Sequence, residues 1–159
     1  MATIEKIPVT DADIETIRQV ASELFSQLEV DGIFDLALKD DAVELMLDTK
    51  DSGIVIGYHG EMLEALQLVL SLLVAKKLGR FVRVMVEVGD YRKNRSEYLE
   101  KLAFQVKEKV LSDNSEQTIH SLKSWERRII HVLLQDDAEV TSESVGEGKD
   151  RVLVVKPRN

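Results

Sequence analysis

Residues 54–79 constrain the fold most. Three β-branched residues, Ile54-Val55-Ile56, run into Gly57-Tyr58-His59-Gly60, and a long apolar stretch from Met62 continues to Leu78-Gly79. Met62, Leu63, Leu66, Val69, Leu70 and Leu73 leave little of that stretch polar, so it reads as a long helix at the centre of a core. Gly79 suits its C-terminal cap. The segment as a whole is then a strand-like run, a glycine-bounded turn and a buried helix. Two glycines three apart let a backbone turn tightly and approach a sugar-phosphate chain, with the first N–H groups of the next helix facing the anion. On spacing alone, an ordinary strand-to-helix turn explains the pair at least as well.

The flanks supply what such a helix must pack on. Thr10-Asp11-Ala12-Asp13 carries an N-cap threonine and a carboxylate three residues on. Ile14, Ile17, Val20, Ala21, Leu24, Phe25 and Leu28 follow at helical spacing and stop before Asp31-Gly32. Residues 33–38 and 42–47 alternate around Lys39-Asp40-Asp41, a strand–turn–strand pattern. Residues 81–88 alternate again, with Arg83 and Glu87 pointing away from their neighbours. A helix then starts at the Asp90 cap and carries Tyr91, Tyr98, Leu99, Leu102, Ala103, Val106 and Val110 on one stripe. Residues 112–118 read as a loop and 124–135 as a further helix. Residues 139–145 and 151–155 read as a hairpin joined through 146–150. The order α-β-β-α-β-α-α-β-β is an α+β chain without repeat, low-complexity segment or linker, in two modules, 1–88 and 89–159.

Several function classes drop out. With no cysteine among 159 residues, disulfides, thiolate nucleophiles and Cys-ligated zinc are excluded. His59, His120 and His131 have no partners at zinc-ligand spacing. Neither a phosphate loop nor a Gly-x-Ser-x-Gly elbow occurs, since Gly146-Glu147-Gly148-Lys149 lacks the helix that should follow it. No cofactor, no metal and no catalytic residue are expected. Residues 68–75 are too short to span a bilayer, and no leader pattern is present, so a cytoplasmic protein without membrane contact is expected.

The net charge of −8 first argues against a nucleic-acid partner. It is unevenly spread. Residues 1–56 carry 4 basic against 13 acidic side chains, whereas residues 91–135 carry 9 against 6. Local potential, not the whole-chain figure, governs binding.

The second candidate lies in that basic stretch. In Glu126-Arg127-Arg128-Ile129-Ile130-His131, Arg127 and His131 are four apart and share a helix face, offering two donors to a phosphate. Spacing alone also allows a solvated face with a satisfied histidine.

Context raises both candidates. Residues 54–63, preceded by helix–strand–strand and followed by helix–strand, resemble a type II K-homology (KH) domain, whose GxxG loop clamps four nucleotides of a single strand. By that resemblance Gly57, Tyr58, His59 and Gly60 contact the backbone, beside a groove lined by Ile54, Ile56, Leu63 and strand 42–49. The family usually places Lys or Arg between the glycines; here Tyr58 can stack and His59 can donate, but neither is a permanent cation. Tyr91-Arg92-x-x-Arg95, the Arg127/His131 helix, Val140-Thr141-Ser142-Glu143-Ser144, Gly146-Glu147-Gly148, Arg151 and Val154-Val155-Lys156-Pro157 resemble the Arg-x-x-x-His (RxxxH) domain, a binder of single-stranded nucleic acid. That resemblance assigns phosphate contacts to Arg92, Arg95, Arg127, Arg128, His131 and Arg151. Serines at 121 and 124, where prolines are frequent, imply a looser start to the second helix.

The two modules in tandem resemble the Jag (SpoIIIJ-associated) family of bacterial RNA-binding proteins over residues 31–157. Many members carry an additional N-terminal Jag domain; residues 1–30 here read instead as one acidic helix, fitting the first helix of a type II KH fold. The resemblance implies a post-transcriptional regulator that binds single-stranded RNA, with single-stranded DNA the other substrate and another KH protein a partner. The competing reading is a protein-interaction adaptor with weakened nucleic-acid binding, which the Tyr58-His59 pair and the acidic front favour.

Overall fold

The computed structural model describes residues 8–158; residues 1–7 and 159, the outer ends of the two expected modules, lie outside the described residues. The chain divides into two units, Met1–Tyr91 and Arg92–Asn159.

In the first unit, helix α1 (Asp11–Gln27) opens on the expected cap: Thr10 accepts from the Asp13 N–H, and the Asp13 carboxylate accepts from the Thr10 N–H at 2.8 Å. Strands β1 (Gly32–Lys39) and β2 (Ala42–Thr49) form a hairpin in which Lys39 faces Ala42, so Asp40-Asp41 is a two-residue turn. Asp40 takes φ +52°, as such turns demand. Strand β3 (Arg83–Val88) adds parallel to β2, giving the order β1-β2-β3. The register sets Val43, Leu45 and Leu47 opposite Val84, Val86 and Val88, all six buried, as the layer under α1 and the helix α3 (Glu61–Leu78). The exposed side of the β3 edge is held in part by Gln67 of α3, whose Oε1 accepts the Val86 N–H at 3.1 Å.

Two expectations fail here. The β-branched run 54–56 is not a strand: Ser52–Ile56 forms a short helix, α2, with the Val55 N–H on the Asp51 carbonyl and the Gly57 N–H on the Gly53 carbonyl. Strand propensity yields because the sheet offers this segment no partner, whereas one helical turn satisfies its backbone locally. Helix α3 is not buried all round either. Leu63, Leu66, Leu70 and Val74 face the core, while Met62, Leu68, Val69, Leu72 and Leu73 are exposed. One sheet and one helix cover only one side of it.

In the second unit, α4 (Tyr91–Asp113, of which Tyr91 belongs to the first unit) and α5 (Ser124–Leu134) lie on a sheet of order β4-β6-β5. Here β4 is Gln117–Ile119, β5 Val140–Val145 and β6 Val152–Pro157. Leu99, Ala103, Val110, Ile130, Val140, Leu153 and Val155 form the core. Strand β4 occupies part of what the sequence suggests is a loop; only three residues long, it pairs Gln117 to Ile119 with Val155 to Leu153. Three ion pairs fasten α4 to α5 and to the segment that follows it. Arg95 Nε meets Glu126 Oε1 at 2.6 Å, and Lys107 Nζ meets Asp137 Oδ2 at 2.6 Å and Glu139 Oε2 at 3.1 Å.

Candidate nucleic-acid interface

The glycine-bounded turn joins two helices, α2 and α3. Gly57, His59 and Gly60 all have positive φ, at +68°, +49° and +78°. Left-handed backbone is cheap for glycine and costs about 1 kcal/mol or more for another residue, so His59 is held there by its surroundings. Packing demands the glycines as well: a Cβ at Gly57 would sit 2.5 Å from Met62 Cγ, and one at Gly60 2.9 Å from the Tyr91 ring. Both glycines are thus explained by the turn itself. What the loop offers a ligand is the ring pair between them. Tyr58 and His59 stack with centroids 4.1 Å apart and planes 10° apart, and Tyr58 is 65% exposed.

The second unit carries a depression lined by Ser124, Arg127, Arg128, His131, Ser144 and Arg151. Helix α5 brings Arg127, Arg128 and His131 to one side, β5 brings Ser144, and Arg151 enters from the end of the 146–150 turn. Three guanidiniums, a histidine and two hydroxyls line it, and no carboxylate does. Arg128 and Arg151 are exposed and make no ion pair among the described residues. The His131 ring is anchored from behind, with Nδ1 2.9 Å from Oγ of the buried Ser142. That bond leaves Nε2 as the ring nitrogen available to the depression. Where the serine hydroxyl donates to Nδ1 of the neutral ring, the ring proton sits on Nε2, which is then a donor for an oxyanion. Such a site is built for a multiply charged oxyanion, because guanidiniums match phosphate oxygens in geometry and charge.

Residues 14–88 match the KhpA/KhpB KH domain, and residues 97–157 match the Arg-x-x-x-His (RxxxH) domain. Over 150 residues, 94% of this chain, it is 33% identical to the RNA-binding protein KhpB of Clostridium symbiosum and covers 67% of that protein. The chain belongs to the KhpB (Jag) family. Relatives of the same name are those of Streptococcus pneumoniae serotype 2, 32% identical over 92% of this chain, and Lactiplantibacillus plantarum, 29% identical over 95%. The chain spans about two thirds of the first relative's length and about half of the other two.

The structure redistributes the expected contacts. Arg127, Arg128, His131 and Arg151 come together. Arg127 is only 8% exposed, with Nη1 donating to the Leu122 carbonyl at 2.6 Å and Nη2 to Ser124 Oγ at 3.1 Å. Its guanidinium clasps the start of α5, and the Lys123 N–H adds a 2.8 Å bond to Glu126. The start of α5 is therefore tight, not loose, and Ser121 at φ +57° could not be proline. Arg95 is committed to the fully buried Glu126, and Arg92 is half-buried on α4; neither lines the depression. Leu63 is a core residue and cannot line a groove. Ser124, Ser142 and Ser144 are not legible as site residues from the motif spacing. The alternation Val140, Ser142, Ser144 carries the signal, because it places both β5 hydroxyls on the face that α5 covers.

Among the described residues, no cluster of His, Cys, Asp or Glu could hold a metal, and no helix is long and apolar enough to cross a membrane.

Proposed function

We propose that this chain is a single-stranded RNA-binding protein, a post-transcriptional regulator acting in the bacterial cytoplasm without catalysing a reaction on the RNA. The reading treats the chain as two modules, residues 1–88 and 89–159, each holding its own stretch of strand. Gly57, Tyr58, His59 and Gly60 form the contact in the first. Arg128, Arg151 and His131 hold phosphate in the second, with Arg127 supporting the helix that presents them. The observation that carries the reading is the depression around His131: a carboxylate-free basic site in a chain of net charge −8. The relatives' name, RNA-binding protein, favours RNA over DNA.

Binding of a fluorescent single-stranded RNA across a salt series tests it. The wild type is expected to lose affinity linearly in log–log form, and Arg128→Ala/Arg151→Ala to flatten that slope by about 0.7 for each phosphate contact removed. Salt-independent binding, or a double variant indistinguishable from wild type, would reject it.

A second KH protein is the proposed protein partner. Its support is the apolar strip Met62, Leu68, Val69, Leu72 and Leu73 that α3 turns outward. Leu68→Glu/Leu72→Glu is expected to abolish co-purification with a KH protein of the same cell while leaving the melting temperature unchanged.

A further inference from the structure

The GxxG loop carries no lysine or arginine: Tyr58 and His59 lie between the glycines, and the next charged residue is Glu61. Charge capture of the backbone is therefore not what these side chains supply. They supply a pair of parallel rings, 4.1 Å between centroids, one face of Tyr58 lying on His59. Tyr58 is 65% exposed. The backbone that carries the rings is constrained before any ligand arrives, by positive φ at Gly57, His59 and Gly60 and by Met62 and Tyr91 packed against the glycines, and the two rings stack on each other. A rigid aromatic surface in water, at the point where a strand is expected to pass, loses little conformational freedom on binding. The exposed apolar residues on either side of the loop in sequence, Ile54 and Met62, suit the edges of a planar aromatic ligand.

Resting on the reading of the chain as an RNA binder, we infer that Tyr58, backed by His59, is a stacking platform for a nucleobase, so that the first module grips a base where a charged loop would grip phosphate. Every base has a π-face, and purines offer the larger one.

Salt-resolved titrations of the full chain with oligoadenylate and oligouridylate test this. Tyr58→Ala is expected to weaken oligoadenylate binding by about 10-fold, within the range for loss of one base–aromatic stack. The loss on oligouridylate should be smaller. The log–log salt slope should stay at the wild-type value, and Tyr58→Phe should bind like wild type. Tyr58→Ala binding both oligomers like wild type, or flattening the slope as a lost phosphate contact would, overturns the platform. A wild type without salt-dependent RNA binding overturns the RNA-binding reading itself, and the platform with it.

Discussion

Arg127 and Arg128 are neighbours on α5, yet one lies under the segment leading into the helix while the other faces solvent. Removing the first leaves the Leu122 carbonyl without its 2.6 Å partner. Arg127→Ala is therefore expected to cost about 1–3 kcal/mol in urea unfolding, the penalty for an unsatisfied buried acceptor. Arg128→Ala should stay within about 0.5 kcal/mol, as surface substitutions do. An equal and negligible effect of the two would show that the clasp is not formed. Ser142 acts at one remove, through the His131 ring. Ser142→Ala should leave the fold intact and weaken RNA binding by about 2- to 5-fold, the worth of one modest hydrogen bond. Nitrogen-15 shifts of the imidazole should then report a changed tautomer balance. Spacing can place Arg127 and His131 on one helix face. It cannot tell a guanidinium reaching for phosphate from one holding a carbonyl, because both need the same stem in the same direction.

At the scale of elements, legibility follows length and partnership. Helix α1, the β1–β2 hairpin and β3 are plain in the sequence because their periodicity runs for six residues or more. Helix α2 and strand β4 are not: five and three residues carry no period, and each owes its form to its neighbours. Helix α3 misleads differently, since an apolar circumference does not say how much of it the fold covers.

The start of α1 also carries a pH signature. Asp13 is held below its ordinary value of 3.8, chiefly by the Thr10 N–H and hydroxyl, then by Arg80 at 2.5 Å. The unfolded chain thus takes up this proton at a higher pH than the folded one does. The stabilisation is complete above the ordinary carboxylate value and is lost as pH falls through the lowered one. Asp13→Asn is expected to be less stable than wild type at neutral pH, with the gap closing as pH falls below about 4. A gap that stays constant across that window would contradict the pairing. Asp137, lowered mainly by its bond to Lys107, adds to acid sensitivity in the second unit with the same sign.

For the whole molecule, the distribution of charge differs from what composition suggests. The basic stretch 91–135 does not present its cations uniformly: Arg95 and Lys107 are committed to Glu126, Asp137 and Glu139. Around His131, by contrast, the exposed cations Arg128 and Arg151 lie together with no acid in the lining. An acidic protein can therefore hold an anionic strand, at modest affinity and with a salt dependence set by few contacts. We place the strand on this depression and on the Tyr58 loop. Titrating single-stranded RNA into the isotope-labelled full chain and following backbone amide shifts decides whether it lies there. Residues 57–60, Ser124, Arg128, His131, Ser144 and Arg151 are expected to shift together along a saturating curve. Shifts confined to the outward face of α3, or none in either set, would contradict that placement.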